Sequence, residues 1–505
     1  MDAVMQAVAE VLSFQNLMFI LIGVIIGIIF GMIPGLNTPI AVALMLPLTL
    51  SMEEVASICL LMGIYCGGMS GGLISAVLLK IPGTAAAVAT TFDGYPMTLN
   101  GRGGDALSWG VFASFFGGIF SCVFLVLLAE PLSNIALEFG PWEYFGTMIL
   151  ALSLVCALAS GRLLKGLISM SVGLLLATVG ISPIDGVAQR FTFGVLELGS
   201  GFNMVILIIG LFAFPEVLTV AHDFKEEAKP AKFKGKIFFA PKLSEIKGKL
   251  INLIGASVIG TIIGILPGLG GGPASMTSYA TAKKLSKDPD KFGKGCEEGV
   301  IASEAANNAV VGGALIPMLS LGVPGDTVTA IIMGALTLQG IITGPVLVLT
   351  KPILFRSILV AVLVANILMF IVQAFSIKPL AKIIQIPRCY LIPMIVVFCI
   401  TGAYSINSRQ FDLWAMFAFA IIGYVFEKND YPLSPMLLGF LLSGMTESYY
   451  RRSIMYYGSL GECLKLKSFG TLFMAIGIIV ILVSAIMEIP QVKARLGRRS
   501  KKEQG

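Results

Sequence analysis

Ser303-Glu304-Ala305-Ala306-Asn307-Asn308 sets a carboxylate and two amides at i, i+3 and i+4. That spacing puts all three on one helical face. Their oxygens could coordinate Na⁺, or the carboxylate could carry a proton, because charge buried in a membrane is costly and functional by default. The plain alternative is a helix end in water. A second acid, Asp326, directly follows Pro324-Gly325. It either caps a new helix or joins a cation site. Three more Pro-Gly pairs interrupt apolar runs: Pro34-Gly35, Pro82-Gly83 and Pro267-Gly268. Proline removes a backbone donor and glycine opens angles closed to other residues, so each pair ends a helix. The helix that restarts presents free N–H groups and a positive dipole end, which is an anion site made of backbone. Small or hydroxyl-bearing residues stand at these restarts: Asn37, Thr38, Thr84, Gly270, Gly271, Ser275 and Thr327. Together with Pro34, Gly35, Gly83, Gly268 and Gly325 they form the candidate set for holding a carboxylate without a fixed arginine. Lys80, in Leu78-Leu79-Lys80-Ile81-Pro82, either attracts the same carboxylate or snorkels to the interface.

The elements that must position these residues repeat. Gly31-Met32-Ile33-Pro34-Gly35-Leu36 is matched 233 positions later by Gly264-Ile265-Leu266-Pro267-Gly268-Leu269. Gly71-Gly72 leads to Pro82-Gly83 as Gly312-Gly313 leads to Pro324-Gly325, and Pro141 to Tyr144 has a counterpart in Pro387 to Tyr390. Paired Pro/Gly interruptions in two apolar halves point to a transporter binding site. The stripes Gly23, Gly27, Gly31 and Ala256, Gly260, Gly264 read as small-residue packing faces, expected to hold the two halves together.

The chain has 505 residues, 56% hydrophobic and 13% charged, with mean hydropathy +0.90. Soluble domains carry about 25% charge, so this is an all-α polytopic membrane protein. Apolar stretches lie near 17–33, 55–79, 107–129, 142–160, 163–181, 200–221, 250–266, 353–375, 390–406, 411–426 and 469–488. With shorter pieces beside the breaks they predict about 11–14 membrane segments. Lys and Arg are absent before Lys80, so the first apolar segment reads as a permanent helix and not a cleaved signal. The basic run 222–249 and the basic tail are expected in the cytoplasm. Two halves then enter from opposite sides, as an inverted-topology repeat. The divisions are 1–221, a connector 222–249, a second half 250–450, and a last helix with tail, 451–505. Arg451, Arg452, Lys465 and Lys467 resist this orientation, unless they lie on an interfacial stretch. The eight cysteines form no CxxC and read as small hydrophobes. The net charge of +6 sits in loops and tail and is no nucleic-acid signal.

From Gly31 to Pro47, from Gly71 to Thr84 and above all from Gly264 to Thr327, the chain resembles the large permease subunit of the tripartite tricarboxylate transporter family. The likeness covers roughly residues 15–445. Asn37 stands where the family's first block commonly has glycine. The resemblance implies a secondary transporter of the bacterial inner membrane, driven by Na⁺ or H⁺, with no other cofactor and no ATP. It implies three partners: a small membrane subunit, an extracytoplasmic solute-binding protein, and a citrate-like or related organic acid. An elevator-type motion of the part bearing the breaks is a further expectation. Competing readings are a stand-alone carboxylate symporter or channel and, remotely, an intramembrane serine protease. Gly68-Met69-Ser70-Gly71-Gly72 matches G-x-S-x-G, but His222, the sole histidine, heads the connector.

Overall fold

Four Pro-Gly pairs each follow the end of a long helix. The computed structural model describes residues 2–158, 162–182, 186–222, 241–383, 388–465 and 468–488. Helices α1 (Asp2–Val11) and α2 (Phe14–Met32) precede the first Pro-Gly pair, and α3 (Thr38–Thr49) and α4 (Glu54–Leu79) follow it. After the second pair come a 3₁₀ turn (Ala85–Ala87), α5 (Thr90–Leu99) and α6 (Gly103–Leu137). Then follow α7 (Pro141–Leu158), α8 (Leu163–Ala177), α9 (Met204–Ile208) and α10 (Phe214–His222). The order then recurs. α11 (Leu243–Ile265) runs into the third pair, α12 (Gly271–Leu285) and α13 (Glu297–Leu321) follow, and beyond the fourth pair lie α14 (Thr327–Leu338), α15 (Val346–Thr350) and α16 (Pro352–Ile383). The chain closes with α17 (Arg388–Asn407), α18 (Gln410–Lys428), α19 (Leu433–Tyr457), α20 (Leu460–Lys465) and α21 (Phe469–Glu488).

Eight described helices are long and apolar enough to cross a membrane: α2, α4, α6, α11, α13, α16, α18 and α21. Six shorter apolar helices accompany them. The protein is thus all-α and polytopic. The apolar windows of α4 and α13 are 100% buried, against 17–44% for the other six. Those two are encased by protein, and the others keep faces for lipid. Residues 297–321 were not among the apolar stretches expected from sequence; their hydropathy of 1.2 shares the lowest value of the eight, because the helix carries Glu304, Asn307 and Asn308.

The glycine stripes pack helices closely, but not across the halves. A Cβ on Gly23, Gly27 or Gly31 would lie 2.3 Å from the carbonyl oxygen of Leu60, Ile64 or Gly68, all on α4. In the second half, Gly260 and Gly264 press on Ala306 and Val310 of α13. The expectation that the stripes join the halves is therefore corrected: each welds a pair inside one half. The halves meet where α6 lies on α13, with Gly117 against the Ala305 carbonyl and Gly312 against Ser121. The breaks repeat this economy of space. Gly83 rests on the Gly31 carbonyl, and Gly325 rests on the Gly264 carbonyl. Equivalent residues make equivalent contacts in both copies.

Two compact units emerge. The larger comprises 1–136, 205–265 and 269–424; the smaller comprises 137–204, 266–268 and 425–505. The smaller is a bundle of α7, α8, α19 and α21, in which Gly173 and Gly439 seat α8 against α19. Trp142 donates its indole N–H to Thr471 at 3.0 Å, and Arg190 makes a two-pronged bond to Glu447 at 3.0 and 3.1 Å. Arg162 holds Asp430 at 2.6 Å and keeps that carboxyl below the usual carboxylate range. Arg451 and Arg452 are exposed near the end of α19, and Lys465 pairs with Glu462. Within the basic connector, 223–240 lie outside the described residues, while 243–249 form the first turns of α11. Lys467, Pro387 and the basic tail lie outside them as well.

Candidate functional site

The restarted helices of the larger unit come together at the middle of α4 and α13. Gly271, the first residue of α12, faces Asn307: a Cβ there would lie 2.6 Å from Asn307 Oδ1 and 2.8 Å from Ala86 Cβ and Met69 Cε. Gly272 faces Ala85, and Gly270 has Asp326 Cβ as its neighbour at 3.7 Å. Thr84 lies against Gly72, and Thr38 lies against Gly68. The residues that follow each break, Thr38, Thr84, Gly271 and Asp326, thus border the segment 65–72, and Gly271 also borders Asn307.

The restarts differ in capping, and that decides which can hold an anion. Asn37 accepts from the Ile40 amide at 3.0 Å and so closes the start of α3. Asp326 accepts from the Thr329 amide at 2.8 Å, and Thr329 Oγ1 accepts from the Asp326 amide at 2.9 Å. This reciprocal box settles capping as one role for Asp326, whose other oxygen receives the Tyr65 hydroxyl at 2.7 Å. The α12 start has no side-chain cap, because Gly270 occupies the position at φ +64°. Pro273 donates no hydrogen, which leaves the Gly271 and Gly272 amides as donors at a positive dipole end. Four fully buried side-chain oxygens of the candidate residues lack a hydrogen-bond partner, Thr38 Oγ1, Thr84 Oγ1, Asn307 Oδ1 and Asn308 Oδ1, and Asn307 Oδ1 borders Gly271. Buried polar atoms are almost always paired, so these four are candidates for ligand contacts.

Glu304 is fully buried, not at a helix end in water. Its Oε1 takes the Thr90 hydroxyl at 2.5 Å and its Oε2 takes the Ser114 hydroxyl at 3.1 Å. Asn308 Nδ2 returns to the Glu304 carbonyl at 3.1 Å, and Asn307 Nδ2 reaches the Met69 carbonyl at 2.8 Å. The i, i+3, i+4 face is therefore intact and turned inward. Among the described residues no three His, Cys, Asp or Glu cluster as a metal site.

Other expected residues fall elsewhere. Lys80 ends α4 in the left-handed conformation (φ 61°), exposed, its ammonium 5.9 Å from the Tyr95 ring. Ser275 turns back to the Gly272 carbonyl at 3.0 Å. Gly83 and Gly325 are buried in the contacts already described. Pro34 is half-buried, and Gly35 (φ +94°) lies beside Glu216. Gly268 (φ +82°) belongs to the smaller unit and packs on Val155. Thr327 is the first residue of α14 and half-buried. Ser70 is buried and donates to Gln373 Oε1 at 2.8 Å; an amide cannot serve as the general base that a nucleophilic serine requires.

Sequence reasoning missed Tyr65, Met69, Thr90, Ser114 and Gln373, single polar or soft residues on apolar helices. It also missed Asp93, a single acid in the short polar helix α5. Asp93 is fully buried. Its Oδ1 accepts from the amides of Gly293, Gly295 and Cys296 at 2.8, 2.9 and 2.8 Å, and Oδ2 accepts from the Tyr279 hydroxyl at 2.8 Å. It fastens α5 to the α12–α13 connection. At the mouth of α6 and α13 lies an ion-pair group: Arg102 and Lys249 both reach Glu297, and Lys291 pairs with Glu298 at 2.9 Å. The Glu298 carboxylate beside Lys291 raises that ammonium above its ordinary value.

Residues 17–438 match the family described as "Tripartite tricarboxylate transporter TctA family". An Agrobacterium vitis protein, "Uncharacterized 52.8 kDa protein in TAR-I ttuC' 3'region", is 36% identical over 441 residues, covering 87% of each chain. A second from the same organism, "Uncharacterized protein in TAR-II ttuC' 3'region", is 41% identical over 196 residues, 39% of this chain and 81% of that one. No solved structure matches.

Proposed function

Because the chain belongs to the tripartite tricarboxylate transporter TctA family, a family of membrane transporters, we propose that it is the large permease subunit of an organic-acid importer. It works with a small membrane subunit and an extracytoplasmic binding protein, in a bacterial inner membrane, with its C-terminus in the cytoplasm. A Na⁺ or H⁺ gradient drives it, and ATP does not. The observation that carries this reading is the uncapped α12 start, bordered by Asn307 Oδ1, one of four unpartnered buried oxygens on the restarts and α13. A substrate carboxylate takes the Gly271 and Gly272 amides, and further carboxyl groups accept from the Thr38 and Thr84 hydroxyls. Glu304, Asn307, Asn308 and Asp326 serve the cation.

The matched Gly31–Gly83 and Gly264–Gly325 contacts support an inverted repeat, and the two compact units support an elevator-type cycle. The test is uptake into proteoliposomes that hold this chain and its small subunit, with the binding protein outside. Labelled di- and tricarboxylates are offered under an imposed Na⁺ or H⁺ gradient. Uptake that needs both gradient and binding protein is expected. Uptake without the binding protein would identify a stand-alone symporter, and none for any acid would remove the substrate class.

A further inference from the structure

Glu304 stands at one end of a hydroxyl chain. Thr90 Oγ1 lies 2.5 Å from Glu304 Oε1 and 2.9 Å from Ser303 Oγ, and Ser303 Oγ reaches the Gly299 and Val300 carbonyls at 3.1 Å. Counting hydrogens along it shows two complete arrangements. With an ionised carboxylate, Thr90 donates to Oε1, Ser114 donates to Oε2, and Ser303 donates to a backbone carbonyl. With a carboxylic acid, Glu304 donates to Thr90, Thr90 turns to donate to Ser303, and Ser303 still donates to the carbonyl. Each hydroxyl supplies one donor and accepts on its lone pairs, so neither state leaves a buried donor unmet. Only the Thr90 hydroxyl has to rotate. A Na⁺ ion would instead need the carboxylate oxygens turned to it, and here both Glu304 oxygens lie at hydrogen-bond distance from hydroxyls.

The charged and titratable groups on the neighbouring elements have other partners. On α5, Asp93 is held by three amides and Tyr279. On α4, Tyr65 is bonded to Asp326, which caps α14, and Cys66 is near Asn366. On α11, Lys249 is bonded to Glu297, and on α6 Arg102 is paired with Asp105 and Glu297. Among the described residues no cation is ion-paired with Glu304.

We propose that Glu304 is the group that loads and releases the coupling proton, with reversal of the Thr90–Ser303 hydroxyl pair serving both of its states. The reaction is protonation of one carboxylate oxygen by a proton from the aqueous side, and its reverse; no other bond is made or broken. This rests on the gradient-driven reading above. The test needs no substrate: pH-difference infrared spectra of the purified protein in lipid, with K⁺ or Na⁺ as the only salt cation. A carboxylic-acid C=O band that grows on acidification, shifts in D₂O, vanishes in Glu304→Gln and ignores the salt cation is expected. Thr90→Val removes the acceptor of the acid form and should move the band's pH midpoint, whereas Thr90→Ser should restore it. An unchanged band in Glu304→Gln, or suppression of the wild-type band by Na⁺ at fixed pH, overturns the proposal. Should Glu304→Gln fail to fold, an unmoved midpoint in Thr90→Val overturns it as well. A proton band without uptake of any acid would sink the importer reading alone; uptake without the band would sink this one alone.

Discussion

Gly271 carries the sharpest consequence of any one residue. Its missing side chain is what lets the α12 start lie against Asn307, Ala86 and Met69. Gly271→Ala should abolish or strongly slow uptake while costing about 1–3 kcal/mol of stability, seen as transport loss in protein that still gives a cooperative melt. Asp326 answers to two tests at once. Asp326→Ala removes the cap and the Tyr65 acceptor and should cost about 1–2 kcal/mol; Asp326→Asn, which keeps an acceptor oxygen, should recover much of it. Thermal melts in detergent decide. These residues were legible in the sequence to different degrees. Pro-Gly pairs announce themselves, because their backbone chemistry acts wherever they stand. Thr90 and Ser114 do not: one hydroxyl in an apolar helix has no pattern, and its partner Glu304 lies 214 or 190 positions away.

The helices were legible where apolar content was high and hidden where function diluted it. α2, α6, α16 and α21 read directly from hydropathy. α13 did not, since its glycines, serines and amides serve burial inside protein and not contact with lipid. The small-residue faces mark packing faces in the sequence but not their partners, for a stripe specifies closeness and not what it is close to. A graded set of substitutions tests the corrected pairing. Gly27→Ala puts a methyl 2.3 Å from a rigid α4 carbonyl, and Gly83→Ala puts one 2.1 Å from the Gly31 carbonyl. Both should lower stability by about 1–3 kcal/mol. Gly255→Ala, exposed on α11 with nothing within 4 Å, should raise it by about 0.5–1 kcal/mol. Equal effects at all three sites, measured by melting in the same lipid, would refute the packing account.

The larger unit is held together by few polar bonds placed at great sequence distance. Asp93 is the chief of them. Asp93→Ala would strand three amides and one hydroxyl, each orphan costing about 1–3 kcal/mol, and should prevent accumulation of folded protein; Asp93→Asn should fold with a lowered melting point. Size-exclusion profiles of the two variants from the same membranes check this. The repeat was visible from sequence because both copies kept their breaks. The division into two compact units was not, since it cuts each half at places marked by no change in composition.

The grip on Asp93 also sets a clock for biogenesis. Its last amide partner, Cys296, is 203 residues further along the chain. At about 5–20 residues per second, the ribosome needs roughly 10–40 s to deliver it. Throughout that interval the nascent first half holds a bare acid at a position the finished fold seals completely. Until then the site that fastens α5 cannot be completed, and it closes only when residues of the second half arrive.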